Sequence, residues 1–357
     1  MKLSVCMMIK DEEKYLKQCL DSINNIADEI IIVDTGSQDK SIQIAQSYSK
    51  VKLYHHPWEN NFSLHRNQSI SYATGDWLLF IDADEKLFGN FKQLKPYLER
   101  LPQECTAVQC VMKDMHGGQS VMQFQSTKIF RNGHIQFKNI VHNQPITDGF
   151  CDKTKLIYFE HYGYDVDEET KQKKVNRTIT LLHKRIDQDT NDFEAHFYLC
   201  QMYGWIEDWK SALRHALIYI ANKEKITPFN QAIYFSAARI CLSKLPNKIH
   251  EAKEILDKTD KKDIDILLAL SEYYAITQNH DLLKKTTFQF LNAYKNFEGE
   301  AYFIHCYTPQ AYFYCASNYV MCLLREGVTQ LLPEFQQMAL QCVSNNLNEL
   351  LKKEVKI

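Results

Sequence analysis

Two carboxylates one residue apart, Asp82 and Asp84, directly follow the apolar run Trp77-Leu78-Leu79-Phe80-Ile81. Such a run reads as a strand buried on both faces, so the acids stand where that strand leaves the core. Carboxylates in that position need a cation or hydrogen bonds to offset their desolvation. Hard divalent cations take oxygen ligands and commonly reach a protein through one or two carboxylates together with a ligand's phosphates. The pair therefore reads as a metal–diphosphate site. The bare pattern recurs at Asp165-Val166-Asp167, Asp187-Gln188-Asp189 and Asp263-Ile264-Asp265, where no apolar run precedes it and solvated surface is the plainer reading.

The elements that must position these acids are legible upstream. Leu3 to Ile9, Glu29 to Val33 and Val51 to Tyr54 have strand composition, while Glu12 to Ile23, Ser41 to Tyr48 and Leu64 to Ala73 carry helical spacing. Strand alternating with helix implies parallel pairing through right-handed crossovers, an α/β Rossmann-like sheet. Ligands of such sheets sit beyond the carboxyl ends of the strands. That rule gathers Lys10-Asp11-Glu12-Glu13, Asp34-Thr35-Gly36-Ser37 and Asp82-Ala83-Asp84 onto one edge. Glu12 and Glu13 can equally be first-turn acids favoured by a helix dipole.

Composition narrows the function classes. The 357 residues suggest two domains, and 42 basic against 44 acidic side chains give a net charge of -2, so no global field advertises nucleic acid as a partner. Eleven cysteines, odd in number and without a C-x-x-C pair, read as small core residues in a reducing compartment. The short apolar run at the N-terminus is followed at once by charge, no later run approaches the ~18 apolar residues of a membrane span, and the chain is expected to be cytoplasmic. No G-x-x-x-x-G-K-[ST] occurs, which disfavours a P-loop NTPase.

From about Asp165 the pattern becomes almost continuously helical. Asn191 to Asn222 fits the 34-residue tetratricopeptide template at His196, Leu199, Cys200, Tyr203, Ala212 and Ala216, and a weaker copy runs through Leu267, Leu270, Ser271, Tyr274, Leu283 and Thr287. Gln231 to Asp257 supplies two further helices with Pro246 between them, and Leu331 to Lys353 can cap the array. The expected division is 1–165 for an α/β domain and 166–357 for an all-α, tetratricopeptide-like domain that buttresses, dimerises or holds an acceptor.

Four segments in order, Leu3 to Glu13, Ile31 to Asp39, Phe62 to Asn67 and Gly75 to Glu85, resemble family 2 glycosyltransferases of the GT-A fold. Within that family the chain is similar to members with tetratricopeptide-like helices, among them peptide S-glycosyltransferases and lipopolysaccharide-core sugar transferases. The resemblance implies a GT-A, mostly parallel sheet, a UDP-sugar donor, Mn²⁺ or Mg²⁺, and inverting transfer of a hexose to a peptide, glycan or lipid-linked acceptor. It implies that Asp34 accepts from uracil, that Lys10 and Glu12 line the base and ribose, and that Arg66 steadies the nucleotide or the acids. Asp84 would ligate the metal, with Asp82 on sugar, ribose or a metal-bound water. The segment Ile157 to Tyr164 resembles an end-of-domain His-Tyr-Gly-Tyr motif, which would bring His161 to the metal or diphosphate, and Arg131 stands where relatives carry a similar arginine, with phosphate contact as the role it could take. Each has a plainer alternative: a turn carboxylate for Asp34, surface pairing for Arg66 and Arg131, a structural imidazole for His161.

The acceptor's proton needs a base on the opposite face of the sugar. Relatives show His-Glu where this chain has His142-Asn143, and asparagine cannot take a proton. His142 is the candidate base, with Asp114 and Asp148 as alternatives and a thiol acceptor needing less help. Two other readings are a phosphatase using Asp-x-Asp as nucleophile and acid, which would want the pair after the first strand, and a binding scaffold on a degenerate catalytic domain.

Overall fold

In a computed structural model of the chain, which describes residues 1–163, 167–222, 228–296 and 309–327, the expected alternation opens the fold. It runs β1 (Leu3–Ile9), α1 (Leu16–Ile23), β2 (Glu29–Asp34), α2 (Ser41–Gln46), β3 (Val51–His55), α3 (Phe62–Tyr72) and β4 (Trp77–Phe80). The period of two sorts the side chains between faces. Leu3, Val5, Met7 and Ile9 join Trp77 and Leu79 in one core with Leu16, Leu20 and Ile23 of α1, while Cys6, Leu78 and Phe80 enter a second core on the other face. Burial on both faces is why the strands read as continuous apolar runs.

The stretch from 85 to 161 adds β5 (Glu85–Gly89), α4 (Phe91–Arg100), β6 (Cys105–His116), β7 (Gln119–Arg131), β8 (Ile135–Lys138), β9 (Gln144–Thr147) and β10 (Phe150–His161). The main sheet has the order β3-β2-β1-β4-β7-β6-β10-β5, and β8 and β9 form a separate hairpin. Pairing is parallel from β3 through β4 and between β6 and β10, but β7 runs antiparallel to both β4 and β6, and β5 to β10. The sheet is thus Rossmann-like in its first half and mixed in its second.

Two compact units divide the chain, Met1–Asp192 and Phe193–Ile357. The division falls later than the expected 165/166 because α5 (Glu168–Gln188) is anchored to the first unit. Buried Arg185 donates to the Val141 carbonyl (3.0 Å) and pairs with Asp192 through Nε and Nη2 (2.7 and 2.9 Å). Lys174 Nζ donates to the Gly163 carbonyl at 3.2 Å. Periodicity reports where a helix begins, whereas side-chain anchoring decides which core owns it.

The second unit comprises α6 (Phe193–Trp205), α7 (Trp209–Ala221), α8 (Pro228–Arg239), a π turn at Ile240–Lys244, a 3₁₀ turn at Pro246–Lys248, α9 (Ile249–Asp257), α10 (Ile264–Ile276), α11 (His280–Lys295) and α12 (Pro309–Arg325). Ala212, Ala216, Ala237, Ala238, Ala252, Ala269 and Ala316 are fully buried, so helices approach closely, as a helical-repeat array requires. The His196 and His215 Nδ1 atoms lie 2.8 Å apart, and Tyr203 stacks on His215, which accounts for two of the template positions. The expected capping helix at 331–353 lies outside the described residues. The other Asp-x-Asp acids do more than solvate the surface. Asp167 and Asp263 cap α5 and α10 by accepting from Thr170 N and Ile266 N, and Asp189 closes α5. Among the described residues no helix is long and apolar enough to cross a membrane.

Candidate active site

The ends of β1, β2 and β4 come together as expected, and side chains lace the first two loops. Backbone N–H groups of Asp11 and Glu12 donate to the hydroxyls of Ser37 and Ser41 (3.0 and 2.7 Å), Gln38 N donates to Asp11 (2.7 Å), and Glu13 and Asp39 exchange bonds with Lys40 N and Glu13 N. α1 therefore starts only at Leu16 and has no acid in its first turn. Glu12 and Glu13 are loop acids, not dipole partners. Lys10 is exposed at the end of β1.

Asp34 ends β2 and is 2% exposed. Its Oδ1 accepts from Ser37 N at 3.1 Å, its Oδ2 from Gly36 N at 3.2 Å, and His55 Nδ1 lies 3.3 Å from Oδ2. Each carboxylate oxygen has two lone pairs, so the turn fixes the carboxylate and leaves acceptor capacity for a ligand's N–H. The turn reading of Asp34 is what these bonds show.

Past β4 the two acids separate in role. Arg66, one turn into α3, places Nη2 at 2.7 and 2.9 Å from the two oxygens of Asp82, and its guanidinium stacks 5.2 Å from the Phe137 ring centre. Burial alone would raise the Asp82 pKa, but the charges of Arg66 and Lys128 bring it down to about 2. Beneath it, Glu85 accepts from Asp82 N at 3.0 Å and pairs with Lys128 of β7 at 2.6 and 2.9 Å, both side chains almost fully buried. Sequence reading missed this pair; Lys128 stands between polar Thr127 and the short apolar pair Ile129-Phe130, so nothing local marks it.

Asp84 instead faces His161 at the end of β10, with Oδ2 3.6 Å from Nε2, while Asp114 of β6 lies 2.9 Å from Nδ1. Burial would push the imidazole down, yet hydrogen bonding to Asp114 and Asp84 carries it up to about 10. Gly163 makes room for the arrangement: a Cβ there would lie 2.2 Å from Asp84 Oδ2 and 2.6 Å from His161 Nε2. A carboxylate oxygen and an imidazole nitrogen at this separation can both reach one ion at ~2.1 Å. Among the described residues no three His, Cys, Asp or Glu side chains close around one point, so Asp84 and His161 are at most two candidate ligands, and any ion there would need a substrate's phosphates and water to complete its shell. Asp82, expected among the metal ligands, has both oxygens engaged by Arg66. Tyr164 of the terminal motif lies outside the described residues.

Two cations that sequence reading missed stand at this edge on α5. Lys174, which donates to Gly163 O, lowers the Glu12 pKa, and Arg177, whose guanidinium lies 5.2 Å from the Phe62 ring centre, has Glu12 as its electrostatic partner. Glu12 itself is raised to about 7, by burial first and then by the charges of Asp84 and Asp82.

Two expected residues stand apart. Arg131 pairs in register with Trp77, the first residue of β4, and so sits at the strand's opposite end from Asp82 and Asp84. Its Nε and Nη2 donate to the carbonyls of Cys105 and Pro102 (3.2 and 3.1 Å) and its guanidinium lies over the Trp77 ring. Antiparallel β7 sends it away from any phosphate at the carboxyl edge, and its role is to tie strands together. His142 follows Val141, whose carbonyl Arg185 holds, and takes φ 47°. Burial and the Arg185 charge hold its imidazole down at about 4. The alternative bases are committed elsewhere, Asp114 to His161 and exposed Asp148 to His134 (2.8 Å).

Residues 4–162 match the family model for glycosyl transferase family 2. A TPR repeat-containing protein of Synechococcus elongatus is 31% identical over 216 residues, covering 57% of this chain and 51% of that protein. The SPbeta prophage-derived glycosyltransferase SunS of Bacillus subtilis is 26% identical over 247 residues, 67% of this chain and 57% of SunS. The chain thus spans little more than half the length of these relatives. Among solved structures, S. aureus TarS 1-349 in complex with UDP aligns with 83% of this chain and 91% of its own at 16% identity and a TM-score of 0.37. Residues 4–162 therefore carry a domain of glycosyl transferase family 2.

Proposed function

We propose that the chain moves a hexose from a UDP-linked donor to a peptide, glycan or lipid-linked acceptor, with inversion at the anomeric carbon and with Mn²⁺ or Mg²⁺ at Asp84 and His161. The observation that carries this reading is the meeting, on one sheet edge, of a turn-fixed carboxylate with spare acceptor capacity, Asp34, and the carboxylate–imidazole pair 3.6 Å apart. Asp34 would accept from the uracil N–H. Arg66 would hold Asp82 ionised and aimed at a sugar or ribose hydroxyl. Bound metal would supply Lewis-acid neutralisation of charge on the departing diphosphate.

His142 is the proposed base for the acceptor's proton. A pKa near 4 keeps it neutral, and so able to accept, at pH 7, but makes it a weak base, which suits a thiol better than an alcohol. The test offers UDP- and GDP-hexoses with Mn²⁺ or Mg²⁺ and scores nucleotide release. Release is expected from a UDP-sugar and only with metal; metal-independent release would remove the proposal. In the same assay with acceptor present, His142→Ala is expected to slow turnover by about a hundredfold, and an unchanged rate would withdraw the base assignment.

A further inference from the structure

We infer that Lys174 and Arg177 of α5 receive the donor's diphosphate. The inference rests on the nucleotide-sugar reading above and assigns the second half of the phosphate site, which no motif marks. Residues three apart on a helix share a face, and buried Val175 turns the opposite side of this segment inward. Lys174 is bonded to the carbonyl of Gly163, the residue whose backbone lies against Asp84 and His161. Arg177 lies over Phe62, one turn before Arg66 on α3. Both cations therefore stand at the acidic edge, one against Gly163 and the other against Phe62.

Charge accounting favours the same assignment. Arg66 is committed to Asp82, Lys128 to Glu85, and His161 to Asp114 and Asp84. Lys174 makes its hydrogen bond to a neutral carbonyl and Arg177 its contact to a ring, so neither charge is consumed by those contacts. A diphosphate leaving group gains about one further negative charge as the sugar departs, and a divalent cation offsets only part of the total. Fixed cations facing the developing charge stabilise that state without reorganisation. Their electrostatic neighbour is Glu12, and pairing with Glu12 alone is the structural alternative.

The test uses the full chain with Mn²⁺ present, titrated calorimetrically with UDP and separately with uridine. Lys174→Met and Arg177→Met are each expected to weaken UDP binding by about tenfold, and the double variant by about a hundredfold, with uridine affinity and thermal midpoint unchanged. Lys174→Arg should retain most of the affinity. Unchanged UDP affinity in the double variant overturns the assignment. A parallel loss for uridine also overturns it, because it marks a role in shaping the pocket. Wild-type protein that binds no UDP overturns the donor reading itself, whereas tight wild-type binding that the substitutions leave intact overturns only the role of α5.

Discussion

Asp84→Asn is expected to lower kcat/KM for sugar transfer by about a thousandfold, ~4 kcal/mol of lost transition-state stabilisation, while the protein stays folded. The substitution is nearly isosteric. Among the described residues Asp84 pairs with no buried lysine or arginine, and its backbone bond, Tyr162 N to Asp84 O at 2.9 Å, survives the change. What it removes is the carboxylate of the Asp84–His161 pair. His161 keeps Asp114 and so keeps its orientation. With the imidazole raised to about 10, it is protonated at neutral pH, and an ion bound through Nε2 must displace that proton. Metal affinity in the wild type should therefore climb about tenfold per pH unit between pH 7 and 9. Mn²⁺ titration followed by magnetic resonance reads both effects. A flat pH response would remove His161 from the ligand set, and an Asp84→Asn variant with normal affinity and turnover would remove the metal site.

The parts of this site that were legible in the sequence are those in which local pattern and position coincide. β1 and β4 bury both faces and so appear as apolar runs, and the acids that follow them must lie at the carboxyl edge. Asp34, Asp82 and Asp84, at the ends of β2 and β4, were placed on that edge in this way, whereas Arg66 was implied only by the resemblance of the segment Phe62 to Asn67. Arg131 was misplaced because relatives carry a similar arginine there and phosphate contact is a role it could take, while its address depends on β7 running antiparallel to β4, a tertiary fact that puts it opposite Trp77. Lys174 and Arg177 escaped notice because charged residues on one face of a helix read as solvated surface until Gly163 and Phe62 are placed beneath them. The division at 192 rather than 165 follows from the same helix: its onset is periodic, but its attachment runs through single bonds of Arg185 and Lys174. Asp114 shows the limit most clearly, since nothing local to β6 announces an imidazole 47 residues away in the chain.

Lys128→Met is expected to cost about 3–5 kcal/mol of stability at pH 7.5 and to lower the thermal midpoint by roughly 10 °C. Methionine fills much the same volume, so the cost is electrostatic: Glu85, about 4% exposed at its side chain, loses the ammonium held 2.6 and 2.9 Å from its oxygens. Burial already raises the Glu85 pKa, Lys128 lowers it and Asp82 raises it again, so removing the lysine drives it further up. A carboxyl whose pKa is higher folded than unfolded contributes stability below the unfolded value and loses it as pH rises toward the folded one. The deficit of Lys128→Met should therefore shrink on moving from pH 7.5 to pH 5, where the buried acid is protonated. Glu85→Gln combined with Lys128→Met should recover much of the loss, because the amide oxygen can still accept from Asp82 N while no charge remains to be buried. Chemical denaturation of the single and double variants at the two pH values completes the cycle. A deficit that is equal at both pH values, or a double variant no more stable than Lys128→Met, would show that Lys128 contributes through packing over Phe159 and not through the charge it sets beneath Asp82.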